Sequence, residues 1–372
     1  MTTSVNQRVP DIDDLLRDMV GRDGSDLHYV AGDPPRTRVY GDLSNLINTR
    51  ISAQQAQEDI FKIMPDTARN DFEQRNNADF AHAIEGLARF RVNVFRHLNG
   101  VGAIFRAIPS QALTIDDLKL PTVIRKLCHQ KQGMVLVTGK TGSGKSTTLA
   151  AMIHEINMTK KGHILTVEDP IEFTHERRQC LISQREVGRH TKSFAAALHS
   201  AMREDPDVIL VGEMRDYETM SVAVTAAETG ILVMGTLHTN GAASTVDRIV
   251  NTFPADKQSQ IRSMLSTSLR GVVSQQLCKR ADDKGRIAAL EVLVNTSAAG
   301  NIIRQGKLDQ LENVMQSGAD LGMQAMDATL RTMMEDGLIS EEEALEKAYD
   351  KDRLKGGAPK DDDFASHTQI FQ

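Results

Sequence analysis

One octapeptide constrains this chain more than any other part of it. Gly139-Lys140-Thr141-Gly142-Ser143-Gly144-Lys145-Ser146 satisfies G-x-x-x-x-G-K-[ST] at every fixed position. It follows an apolar run, MVLVT (134–138), and precedes a helical pattern at about 145–158. The glycines let backbone N–H groups turn inward around an anionic phosphate chain, and the helix N-terminus adds roughly half a positive charge. Lys145 is placed to reach the β- and γ-phosphates of a nucleotide such as ATP, and the Ser146 hydroxyl to ligate Mg²⁺. Gly139, Thr141, Gly142, Ser143, Gly144, Lys145, Ser146 and Thr147 are therefore the candidate nucleotide-binding residues.

A phosphate loop does not say what the nucleotide is used for; the segments after it do. MVLVT is followed by HILTV (163–167), VILVG (208–212) and ILVMGTL (231–237), each an uninterrupted apolar run of the kind found in buried parallel strands. Helical patterns at about 193–203 and 216–229 lie between them. Strand–helix alternation predicts a doubly wound α/β domain with a mainly parallel sheet, whose C-terminal strand ends share one rim. Glu168 and Glu172 follow the second strand, and Glu213 closes the third. Carboxylates on that rim can hold Mg²⁺ and polarise an attacking water. Gly212 stands where an aspartate usually precedes the acidic residue, so Glu213 is left to serve metal, water or both, with Glu168 and Glu172 as its supports. His238, after the fourth strand, is placed to sense the γ-phosphate and couple its loss to movement. The plainer alternatives are acids that cap helices and a histidine that closes a strand.

The remaining sequence bounds the class. A length of 372 residues suits two or three domains, and a net charge of −6 argues against a general nucleic-acid coat. No uncharged apolar run approaches the ~18 residues of a membrane span. Cys128, Cys180 and Cys278 are too scattered for a disulfide framework or a CxxC zinc pattern, which points to the cytoplasm. Residues 1–115 hold 12 of the arginines, one lysine (Lys62) and 8 of the 15 aromatic residues. Helical patterns at 11–22 and 53–75 interleave there with alternating strand-like stretches, predicting a separate α+β domain over 1–115, with a short linker to about 121. Residues 255–350 read as mainly helical, with one strand-like stretch at 286–294, and 351–372 as a disordered tail. Methionines 315, 323, 326, 333 and 334 read as core filler.

Taken in order, GSDLH (24–28), ARFRVN (88–93), FRAIPS (105–110), LVTGKTGSGKSTTLAAM (136–152), HILTVEDPIEF (163–173), REDPDVILVGEMRD (203–216), AAETG (226–230), GTLHT (235–239) and LGMQAMD (321–327) resemble the PilT/PilU family of type IV pilus retraction (twitching motility) ATPases, within the secretion-ATPase superfamily. The resemblance implies a small PAS-like α+β domain ahead of a RecA-like P-loop ATPase domain spanning 116–350 with a helical C-terminal part. It implies a homo-hexameric cytoplasmic motor docked on an inner-membrane pilus platform protein, with peripheral membrane association only, no nucleic acid, and a paralogous retraction ATPase as a second partner. Arg89, Arg91 and Arg106 fall in the family's arginine-bearing segments, and the resemblance implies that Arg91 and Arg106 contribute to catalysis by holding phosphate oxygens. Ile231 replaces a family histidine, Lys140 replaces a proline, and residues 299–305 match the family's AIRNLIRE motif only loosely. The segment from Gly306 onward is similar to the accessory PilU-type branch. A type II or type IV secretion ATPase and a weakly hydrolysing, nucleotide-responsive pilus regulator are the alternative readings.

Overall fold

A computed structural model describes residues 9–39, 42–108, 113–282 and 285–354. They fall into two compact units, one of the described residues up to 108 together with 172–174, and one of those from 113 to 171 together with 175–354.

The first unit runs α1 (Ile12–Gly21), β1 (Asp26–Val30), β2 (Arg36–Val39), β3 (Asp42–Asn45), α2 (Ala53–Ile63), α3 (Asp66–Arg75), β4 (Asn77–Ile84), β5 (Ala88–His97) and β6 (Gly100–Ile108). Helix α1 starts where the Asp11 carboxylate accepts the Asp14 N–H at 3.0 Å, and it buries Ile12, Leu15, Leu16 and Met19 at helical spacing. The single helical pattern read at 53–75 is two helices, because Pro65 has no N–H to continue the first and begins the second. The strands form an antiparallel sheet in the order β3-β2-β1-β6-β5-β4. Strand β5 alternates strictly: Phe90, Val92 and Val94 enter the core, while Arg91 and Asn93 point to the exposed face.

The second unit runs α4 (Thr122–Cys128), β7 (Gly133–Thr138), α5 (Lys145–Thr159), β8 (His163–Glu168), β9 (Leu181–Glu186), α6 (Phe194–Ala201), β10 (Val208–Val211), α7 (Tyr217–Glu228), β11 (Leu232–Leu237), α8 (Ala242–Thr252), α9 (Gln258–Ser268), β12 (Leu269–Lys279), β13 (Arg286–Val294), α10 (Ser297–Gln305), α11 (Leu311–Ser317), α12 (Met326–Glu335), α13 (Glu341–Lys347) and α14 (Lys351–Leu354). Its sheet has the order β13-β12-β7-β11-β10-β8-β9, and every pairing is parallel except that of β12 with β13. All six residues of β7 are buried, since both faces of the sheet are covered. Met134 and Leu136 enter the core beneath α7, α8 and α9, whereas Val135 and Val137 enter the one beneath α4 and α5. The three cysteines are buried as free thiols.

Three expectations need correction. The stretch 255–350 is mainly helical and holds the expected strand at 286–294, but it also contains β12, which pairs antiparallel with β13 and extends the parallel sheet beside β7. The apolar run of β12 is interrupted by Ser274, Gln275 and Gln276, which hid it from a reading based on hydrophobicity. Strand β9, whose burial alternates weakly at the sheet edge, was also not read. Residues 351–354 are helical, and Leu354 is packed against Met326 and Leu330, so a tail starting at 351 begins too early. Residues 355–372 lie outside the described residues. Met315, Met323, Met326 and Met333 are buried core residues, as their spacing suggests.

Candidate functional site

The P-loop bridges β7 and α5. Gly139, Gly142 and Gly144 hold φ of 141°, 79° and 88°, values that side chains adopt with strain. A Cβ on Gly139 would lie 2.3 Å from the Gln275 carbonyl oxygen, so only glycine fits against β12. Around Gly142 there is open space. Lys145 begins α5 and is buried, with Nζ donating to the carbonyls of Gly139 at 2.8 Å and Lys140 at 3.0 Å. The ammonium is thus folded back into its own loop.

Two strand ends beside the loop bring their side chains toward it. Strand β11 lies next to β7 and β10 next to β11, so His238 and Glu213 stand in order along the rim. Their backbones are tied: the Met214 N–H donates to the Thr236 carbonyl at 3.0 Å, and the Thr236 hydroxyl donates to the Gly212 carbonyl. His238 Nε2 lies 2.9 Å from Glu213 Oε1. An ionised carboxylate only accepts, so Nε2 carries the proton and Nδ1 is left as an acceptor. Nδ1 is 3.5 Å from both Lys145 Nζ and Thr141 Oγ1. Burial works against ionisation of Glu213, but the hydrogen bonds from Arg215 and His238 and the Arg215 charge outweigh it and hold the carboxyl below its usual range.

The other predicted residues are distributed differently. Glu168 ends β8, is buried, and accepts from the Thr166 hydroxyl at 2.6 Å and from Gln184 Nε2 at 3.4 Å. Ser143, Ser146 and Thr147 lie in the P-loop and the first turn of α5, and the buried Ser143 hydroxyl has no hydrogen-bond partner among the described residues. Glu172 falls with the first unit by its contacts. Arg91 and Arg106, in the first unit, are direct cross-strand partners on β5 and β6. Arg106 Nε donates to Asp26 Oδ1 at 2.8 Å.

Two residues escaped the sequence reading. Arg215 donates to Glu213, and its position within GEMRD was the only signal for it. Gln275 of β12 is buried and braces the loop from behind: its Nε2 donates to the Ser143 carbonyl at 2.7 Å, and its Oε1 accepts from the Thr148 hydroxyl at 2.8 Å. Nothing in the motif grammar announces a glutamine 130 residues downstream.

The residues present fit a nucleotide carrying Mg²⁺. The unpartnered Ser143 hydroxyl and the open space at Gly142 suit an anion cradled by the loop. Among the described residues no group of three or more His, Cys, Asp or Glu is arranged to hold a metal by itself.

Comparison with known proteins agrees with this geometry. The family model "Type II/IV secretion system protein" matches residues 3–351. The type IV pilus retraction ATPase PilT of Pseudomonas aeruginosa is 51% identical over 338 residues, covering 91% of this chain and 98% of that protein. The type IV pilus ATPase PilU of the same organism is 42% identical over 341 residues, covering 92% and 89%. The crystal structure of the pilus retraction motor PilT with bound ADP superimposes with a TM-score of 0.88 at 42% identity, covering 94% of this chain and all of that one. The DotB ATPase of Legionella pneumophila superimposes with a TM-score of 0.79 at 30% identity, covering 91% and 95%. Matched along nearly its whole length, the chain belongs to the type II/IV secretion system protein family, in the branch that includes PilT and PilU.

Proposed function

We propose that the protein is an ATP-hydrolysing motor of type IV pilus retraction. The observation that carries the reading is the convergence of Lys145, at the start of α5 after the P-loop, with His238 and Glu213, which follow the neighbouring parallel strands β11 and β10. Lys145 is released from its carbonyl partners to meet the β- and γ-phosphates, and the amides of the P-loop and the α5 N-terminus hold the rest of the phosphate chain. Glu213 orients and deprotonates the attacking water. His238 joins Glu213 to the γ-phosphate side of the loop, so loss of that phosphate is felt at β11. Ser146 and Glu213 are the residues that would hold Mg²⁺, which when bound neutralises charge on the phosphate oxygens. Glu168 supports the rim, and Glu172 shares with Glu213 the task of organising water or metal. Arg91 and Arg106 give guanidiniums to phosphate oxygens in the assembled homo-hexamer, with Arg106 exchanging Asp26 for phosphate.

The motor docks from the cytoplasm on an inner-membrane platform protein, with a PilU-type paralogue as a further partner. Whole-chain identity is higher with the retraction ATPase PilT, 51%, than with PilU, 42%. Deletion of the gene is expected to leave surface pili in excess and abolish twitching, and a Lys145→Ala copy should restore neither. Loss of surface pili on deletion would assign the protein to assembly and overturn the reading.

A further inference from the structure

Helix α8 begins four residues after His238, and its start is held in an unusual way. The residue before it, Gly241, has φ of 93° and no side chain to cap the helix. The first amides of the helix are met from elsewhere. The Gly241 N–H donates to Ser274 Oγ on β12 at 2.8 Å, and the Ala242 N–H donates to Glu291 Oε1 on β13 at 2.7 Å. Glu291 is 5% exposed and also accepts from the Met326 backbone, the first residue of α12. One buried carboxylate thus anchors the first residues of two helices.

The connection continues into the C-terminal segment and returns. Asp327, the next residue of α12, accepts the N–H groups of Tyr349 at 2.8 Å and Asp350 at 2.9 Å. The Tyr349 ring closes the circuit by packing beside Gly241, where a Cβ would lie 3.7 Å from its Cε2, with its hydroxyl facing Ser274. The circuit lines a cavity of about 440 Å³ beside the α8 N-terminus.

We infer that Glu291, Ser274 and Tyr349 are positioning residues for the loop carrying His238, so that the helical C-terminal segment sets how His238 meets Glu213 and the phosphate site. The inference rests on the reading of His238 given above and deepens it. A simple cap for α8 needs only a serine or aspartate at position 241. Here the cap is drawn from two strands, by residues 33 and 49 positions further along the chain. The circuit does not include Gln275 or Lys145, which hold the P-loop, so disturbing it should change turnover and leave nucleotide affinity alone.

The test is a set of double-mutant cycles on the full chain, with steady-state ATP hydrolysis measured. Tyr349→Phe keeps the ring and removes only the hydroxyl, Ser274→Ala removes the hydroxyl it faces, and Glu291→Gln keeps one acceptor. Tyr349→Phe and Ser274→Ala carry the test should Glu291→Gln fail to fold. Each is expected to lower kcat about 5- to 30-fold with KM for ATP within about twofold. In a His238→Ala background the same changes should cause no further loss, because they act through His238. Equal losses in both backgrounds, or a raised KM with unchanged kcat, would overturn the inference. Full turnover by His238→Ala alone would instead overturn the role given to His238.

Discussion

Glu213 Oε1 lies 2.9 Å from Nε2 of His238, across the ends of two neighbouring parallel strands. Because a carboxylate can only accept, this contact fixes the histidine tautomer and turns Nδ1 toward the P-loop. Glu213→Gln keeps the shape and removes the base. It is expected to lower kcat by about 10²- to 10⁴-fold, the usual worth of a positioned general base, while ATP still binds. Equilibrium binding of a fluorescent ATP analogue beside steady-state hydrolysis checks this; equal loss of binding and turnover would contradict it.

The same pair has a pH signature. Folding depresses the Glu213 carboxyl below its ordinary 4.5. A group with a depressed folded value stabilises the protein fully above its unfolded value and loses that contribution as pH falls through the folded one. The Tm difference between wild type and Glu213→Gln should therefore hold steady above pH 4.5 and shrink below it. Thermal melts across acidic to neutral pH measure it, and a difference independent of pH would contradict the assignment.

Gln275 supports the P-loop through two buried hydrogen bonds. Gln275→Leu fills the same space but strands the Ser143 carbonyl and the Thr148 hydroxyl. An unsatisfied buried group costs about 1–3 kcal/mol, so both stability and nucleotide affinity should fall, the latter by about tenfold. Denaturant melts with and without ADP separate the two effects; unchanged affinity would remove Gln275 from the site.

Much of this site was legible because its parts are local. The P-loop announces itself by glycine spacing, and Glu168, Glu213 and His238 by falling at the ends of apolar runs, where parallel strands must share a rim. What could not be read is whatever the fold assembles from distant segments. Gln275 and Ser274 sit in β12, whose buried polar residues serve the loop and so break the apolar run that would mark a strand. Arg215 looks like an ordinary surface arginine until β10 places it against Glu213. Arg91 and Arg106 were both picked from the sequence, but their pairing across β5 and β6 depends on a register set by a tight hairpin.

Gly212 is the clearest departure from the usual strand ending, and packing accounts for it. A Cβ there would lie 3.2 Å from the Glu168 Cα and 3.2 Å from the Val167 carbonyl oxygen. Gly212→Asp would force β8 and β10 apart by a few tenths of an ångström. It is expected to lower Tm, by an overpacking cost of about 1–3 kcal/mol, without raising turnover. Calorimetry and a hydrolysis assay test both halves, and a faster, equally stable variant would contradict the account.

The central claim is that the loop ending in Lys145 binds ATP phosphates and that its hydrolysis drives the protein. The most direct measurement is phosphate release by purified wild type and by Lys145→Ala at saturating ATP. The account predicts steady turnover by wild type and a Lys145→Ala rate at the background of the assay. Wild-type turnover retained in Lys145→Ala would contradict it.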